Sequence, residues 1–179
     1  MGSFSALIRF FVIFAVVLMV LFRIDMLDVV QQTAIIPWTN LLARISAVIM
    51  TTFDSDVLSH GRVIQSLSTG FGVSIEAGCN GVEAAIVLIA AMVAFPAPWR
   101  MKWIGIAIGI VAVQAVNLLR IISLYYLGKW NMQVFEFAHL YLWQALIMLD
   151  VLVVWLLWMR AVARHQPVRA TPPENPAAA

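Results

Sequence analysis

The chain has 179 residues, of which 63% are hydrophobic and only 11% charged, with a mean hydropathy of +0.95. Soluble domains carry about 45–50% apolar and about 25% charged residues. Composition therefore excludes a soluble enzyme and a disordered chain, and leaves an integral membrane protein of one domain. A net charge of +2 is too small and too scattered for a nucleic-acid footprint. The single cysteine excludes an internal disulfide framework, a CxxC pair and a multi-cysteine zinc site. Nothing in the sequence asks for a metal or a cofactor.

The first apolar block is Phe4–Phe22, broken only by Ser5 and Arg9. It has the length of a retained transmembrane helix and lacks the small-residue cleavage site of a signal peptide. Residues 34–53 contain Pro37, Asn40 and Arg44 and would make a poor span. Within them Trp38, Leu41, Leu42, Ile45, Val48 and Ile49 recur every three or four positions, opposite Asn40, Arg44 and Thr51. That stripe predicts an amphipathic helix lying in the membrane interface. In residues 54–77, Val57–Leu67 and Phe71–Ile75 flank Ser68, Thr69 and Gly70, which predicts a small exterior hairpin.

Three further apolar blocks, Val82–Trp99, Trp103–Leu127 and Met132–Trp158, complete four transmembrane helices. If Pro96 ends the first of these, residues 81–95 span only about 22 Å, short of the roughly 30 Å hydrocarbon core. Arg100 and Lys102, and then Arg160, Arg164 and Arg169, mark cytoplasmic segments. Both termini are then cytoplasmic and residues 23–80 stay outside. The expected fold is an all-α integral membrane protein: four transmembrane helices, an interfacial amphipathic helix and a small exterior hairpin-like segment. A membrane-embedded domain of residues 1–164 is followed by a disordered cytoplasmic tail, residues 165–179, rich in proline and alanine.

Ionisable groups inside spans are costly unless paired or facing a cavity, so each is a candidate for function. Arg120 lies about 10 Å from the outer end of the third helix, and His139 lies at a similar depth in the fourth. Snorkelling could explain the arginine, but Gln114 and Asn117 share its side of the helix, which favours an inward-facing guanidinium. The histidine alone could be an interhelical hydrogen bonder. Cys79 precedes the short second helix between Gly78 and Gly81. A lone buried cysteine is usually inert packing. At a helix N-terminus, however, a thiolate is stabilised and its pKa can fall well below 8.5. The short helix would start Cys79 beneath the outer surface, in the same layer as Arg120 and His139. A nucleophilic thiol, an acid/base imidazole and a cationic hydrogen-bond donor are the parts that acyl transfer needs.

Other polar residues support weaker readings. Glu83 in the first turn of the second helix complements its dipole or serves the site. Glu136, three residues before His139, either orients the imidazole or is exposed. Asp150 reads as an interhelical hydrogen bonder, and His60 and His165 as solvated. Gly105 and Gly109 form a GxxxG pair suited to helix packing.

The run Gly78-Cys79-Asn80-Gly81, Asn117 to Arg120 late in the next helix, and His139 early in the last resemble the exosortase/archaeosortase family of membrane cysteine transpeptidases. The short length looks most like the type called exosortase H. The resemblance implies Cys79 as nucleophile, Arg120 as the sortase-like arginine and His139 as acid/base. Asn80, Glu83, Asn117 and Glu136 stand beside them as supporting residues. It further implies a site facing outward from the cytoplasmic membrane and exported protein substrates with a C-terminal sorting signal: a motif, a hydrophobic helix and a basic end. The acceptor would be water, a lipid or a glycan, and the bilayer is the other partner. The competing reading is a non-catalytic four-helix membrane subunit of a transporter or assembly complex. An oxidoreductase is less favoured, since a single cysteine has no resolving partner in the chain.

Overall fold

The computed structural model describes residues 2–165. Of the expected tail only His165 falls within it, as the last helical residue, and residues 166–179 lie outside the described residues. Helix α1 is Gly2–Asp25. Helix α2, Asp28–Thr51, includes a π-helical turn at Gln31–Ile35. Three short strands follow, β1 Val57–His60, β2 Val63–Ser66 and β3 Gly72–Ser74. Then come α3 Val82–Ala94, α4 Trp99–Trp130 and α5 Met132–His165, the last with a π-helical turn at Ala138–Leu142.

The protein is an all-α integral membrane protein with a small sheet. Four described helices are long and apolar enough to cross a membrane: Phe4–Asp25, Asp28–Thr51, Trp99–Trp130 and Met132–His165. The number is the expected one, but the membership differs. Residues 34–53, expected to lie in the interface, belong to a helix that begins at Asp28 and has the length and hydropathy to span. The apolar residues Val29, Val30, Ile35 and Ile36 supply the missing hydropathy, and Pro37 falls just after the π turn, in the first turn of regular α-helix, a position that proline tolerates. Val82–Ala94, expected to run to Trp99, has only 13 residues. Phe95 is extended ahead of Pro96 (φ −73°, ψ 136°), the conformation a following proline enforces, and Trp99 already starts α4.

No residue of α3 is exposed. Its sequence is apolar on every side, as a helix enclosed by neighbours requires, and it packs on α1, α4 and α5. Helix α4 is 32 residues, about 48 Å, and serves two different cores. Its first half contributes Ile106 and Val113 to a cluster with Leu88 and Met92 of α3 and Ile147, Val151 and Trp158 of α5. Its second half contributes Ile121 and Tyr125 to a cluster with Leu42, Ala47 and Met50 of α2 and Val57, Ile64 and Ile75 around the sheet. Helix α2 buries the small face Thr39, Ala43, Ser46 and Ala47 and turns Leu41, Ile45, Val48 and Ile49 outward. The stripe seen in the sequence is thus split: Leu41, Ile45, Val48 and Ile49 face away from the protein, whereas Leu42 is buried in the core and Trp38 packs against it.

The sheet is antiparallel in the order β1-β2-β3. The expected hairpin is therefore two, because Gly61 adopts φ +58° and reverses the chain between β1 and β2. Asp56 ties the sheet to α4: it accepts from the Ser66 and Ser68 hydroxyls and from the Ser68 N–H at 2.7 Å, and pairs with Lys129 at 3.1 Å. The Ser66 and Ser68 hydroxyls first, and Lys129 after them, hold its carboxyl well below the usual carboxylate range.

The GxxxG pair does what its spacing suggests. A Cβ on Gly105 would fall inside the Trp158 indole, and one on Gly109 would sit 2.6 Å from a Leu88 methyl. Trp158 Nε1 donates to the Met101 carbonyl at 3.0 Å across the same contact. Gly105→Val should therefore cost about 1–3 kcal/mol through overpacking and lower the unfolding midpoint in detergent. Ala107→Val, on the exposed side of the same helix, is the control. Equal midpoints for the two variants would contradict this packing.

Candidate active site

The site lies where the two apolar cores meet. Gln114, Asn117 and Arg120, at i, i+3 and i+6 of α4, are all buried and make one polar face. The turn before α3 is laid against that face. Gly78 and Gly81 both adopt left-handed backbone (φ +83° and +73°), which only glycine takes without strain. At Gly81 there is a second reason, since a Cβ would stand 2.7 Å from the Gln114 amide nitrogen. Glu83 accepts the Gly78 N–H at 2.7 Å. Asn80 accepts the Val82 N–H at 3.1 Å and donates to Thr39 of α2 at 3.3 Å, while Trp38 Nε1 donates to the Asn80 carbonyl at 3.4 Å.

This turn brings Cys79, Arg120 and His139 together. The Cys79 Sγ is 3.2 Å from His139 Nε2 and 3.4 Å from Arg120 Nη2. Arg120 Nη1 donates to the Gly78 carbonyl at 3.1 Å, and Nε is buried without a partner among the described residues. Arg120 is 3% exposed, so snorkelling is excluded and the inward-facing reading holds. A cavity of about 130 Å³ opens beside the thiol. It is lined by Cys79, Arg120 and His139, by the β3 end at Val73–Ile75, and by Ile121, Leu124 and Phe135.

Not every expected contact is present. Glu136 is exposed and makes no bond to His139 among the described residues. Phe135 orients the ring instead, stacked at 5.5 Å and 18°. Its signal in the sequence was an aromatic four residues before the histidine, on the same helix face. His139 also falls inside the π turn Ala138–Leu142, a feature common at functional sites and invisible to a 3.6-residue period. Asn117 is fully buried and, among the described residues, its side chain reaches only Gln114, at 3.5 Å. Asp150 was expected to bond another helix, yet its Oδ2 is buried with no partner among the described residues. His60 is exposed.

The electrostatics correct one expectation. Burial pushes the Cys79 thiol up; Arg120 pulls it back, and Glu83 and Glu76 add to the rise. The net direction is upward, opposite to the effect of a helix terminus. Helix α3 begins only at Val82, three residues after Cys79, so the thiol lies ahead of the helix and not in its first turn.

The transmembrane exosortase family (Exosortase_EpsH) matches residues 2–149, a stretch that contains Cys79, Arg120 and His139. The chain belongs to that family. Neither a curated protein nor a solved structure matches it.

A thiol whose pKa is raised is protonated at neutral pH and reacts as its thiolate only when the pH climbs. The rate of Cys79 alkylation by iodoacetamide should therefore show a midpoint above the free-cysteine value of about 8.5. Glu83→Gln keeps an acceptor for Gly78 but removes a negative charge that raises the thiol pKa, so its midpoint should move down. A midpoint at or below the free value in the native protein would overturn this electrostatic account.

Proposed function

We propose that the protein is a membrane cysteine transpeptidase that cleaves C-terminal sorting signals of exported proteins. The observation that carries this reading is the Cys79 sulfur, flanked by His139 Nε2 at 3.2 Å and Arg120 Nη2 at 3.4 Å. In the proposed reaction His139 takes the thiol proton as Sγ bonds to the scissile carbonyl carbon. Arg120 donates to the oxyanion that forms. Collapse breaks the C–N bond, the imidazolium protonates the leaving amine, and a thioester on Cys79 remains. An acceptor (water, or a nucleophile on a lipid or glycan) gives its proton to His139 and releases the acyl group.

The proposed orientation places both termini in the cytoplasm and the site on the outer face of the cytoplasmic membrane, with α3 crossing to the inner face and α2 kept on the outer side. It rests on charge. Arg100, Lys102, Arg160 and Arg164 flank the helix ends remote from Cys79, as the positive-inside rule expects of cytoplasmic ends. At the Cys79 end, Arg62 and Lys129 are each paired with a carboxylate, Glu76 and Asp56, while the exposed Arg23 and Arg44 make no ion pair among the described residues.

The test is mass spectrometry of a co-expressed candidate substrate, whose new C-terminus reports both the cut and the acceptor. Cys79→Ala should abolish processing and His139→Ala should nearly do so. Arg120→Lys should fall by about 100- to 1,000-fold, the scale of one lost oxyanion donor, because an ammonium cannot serve Gly78 and the reacting centre with a planar fork. The double variant Cys79→Ala/Arg120→Ala should be hardly worse than Cys79→Ala alone. Processing by a well-inserted Cys79→Ala protein would end this reading and leave the non-catalytic subunit in front.

A further inference from the structure

β3 is one of the two edge strands of the sheet, and its two sides can be told apart. Ile75 donates to the Arg62 carbonyl and Ser66 donates to the Phe71 carbonyl, while Val73 stands opposite Ile64. In an antiparallel ladder, hydrogen-bonded and non-bonded pairs alternate. The groups of Phe71, Val73 and Ile75 therefore face β2, and the N–H and C=O groups of Gly72 and Ser74 point the other way. No hydrogen bond reaches those outward groups among the described residues, and both residues are exposed. An unpaired edge is a template for another strand. This one is distinguished by where it ends. Val73, Ser74 and Ile75 form one wall of the cavity that also holds Cys79, Arg120 and His139. Ile121, Leu124 and Phe135 give the same cavity an apolar lining.

We propose that the free edge of β3 is the peptide-binding strand of this site. An extended stretch of polypeptide pairs with Gly72 and Ser74 and rests one apolar side chain on Ile121, Leu124 and Phe135. Its carbonyl is thereby delivered to Cys79. The occupant is an extended peptide because a cavity of about 130 Å³ admits one side chain of roughly benzene size and no helix. Backbone pairing supplies affinity without sequence preference, and the apolar wall supplies selection at one position. The proposal rests on the transpeptidase reading above and names how its substrate is held.

The experiment compares two reagents on the full-length protein in detergent, following Cys79 modification by intact mass. One is methyl vinyl sulfone and the other is acetyl-Val-Ala-Leu vinyl sulfone, which carries the same warhead on an extended peptide. Two or so backbone hydrogen bonds should speed the peptide reagent by about tenfold over the small one. N-methylation of the peptide amides should bring that ratio near one. Ser74→Pro, which removes an outward N–H and leaves the β2 ladder intact, should do the same, with Ser74→Ala keeping the ratio. The N-methylated reagent tests the native protein, so the outcome stands even if the proline variant does not fold. A ratio near one for the unmodified peptide, or one indifferent to N-methylation, overturns edge pairing and leaves the transpeptidase reading untouched. A tenfold ratio alongside failed processing of every co-expressed substrate would keep the strand site and remove the transpeptidase.

Discussion

The guanidinium of Arg120 is the constraint around which the site is arranged. It is buried and has no carboxylate partner among the described residues. A buried charge without compensation costs several kcal/mol, so the surrounding chain must offer it acceptors. The Gly78 carbonyl and the Cys79 sulfur are those acceptors, and both belong to the turn before α3. The conformation of that turn follows. Gly78 needs φ +83° to aim its carbonyl at α4, Glu83 holds the N–H of the same residue from the other side, and Gly81 must leave room for Gln114. The position of the thiol is thus a consequence of satisfying an arginine.

The depth of the site has a second cause, the length of α3. Thirteen residues reach about 20 Å, so a helix anchored near Pro96 ends well before α4 does. Helix α4 runs on past it, and the space above α3 is filled by α2 and the sheet, which make their own core with Ile121 and Tyr125. Between the two cores apolar packing is interrupted, and there the polar face of α4 is tolerated. A longer α3 would have closed this gap with side chains. The shortness of the helix and the presence of a cavity are the same fact.

Much of this was legible in the residues. Cys79, Arg120 and His139 stood out because ionisable groups are rare in apolar helices, and Pro96 announced that α3 would be short. The less legible parts share a cause, which is that period and propensity describe isolated elements. The stripe on α2 is a real pattern, but its direction depends on which face meets α4, and that contact takes Leu42 and Met50 together with the small residues Ala43, Ser46 and Ala47. Glu136 and Phe135 flank the same turn of helix, and a π turn at Ala138–Leu142 shifts the register by which they would be ranked. The reversal at Gly61 was hidden in a run whose apolar residues come in pairs, Val57-Leu58 and Val63-Ile64, with no clean alternation on either side. The thiol pKa was misjudged because a helix terminus is a local property, whereas desolvation is set by α4 and the sheet.

The upward push on the Cys79 thiol bears on how such a site would work. The thiolate is the form that is nucleophilic and also the form that oxidises. In the proposed exterior setting, a permanently ionised thiol in a chain with no second cysteine would have no internal route back from oxidation. Burial keeps the proton on sulfur, and the histidine 3.2 Å away offers a place for it to go. Proton transfer separates charge, and a low-dielectric cavity penalises charge separation unless a compensating group is at hand. Arg120 already touches the sulfur and so stabilises the thiolate the moment it forms. A peptide filling the remaining cavity would displace water and strengthen that pairing. In such a site desolvation by a bound substrate would by itself oppose ionisation of the thiol, so activation would depend on Arg120 and His139, the two groups in contact with the sulfur.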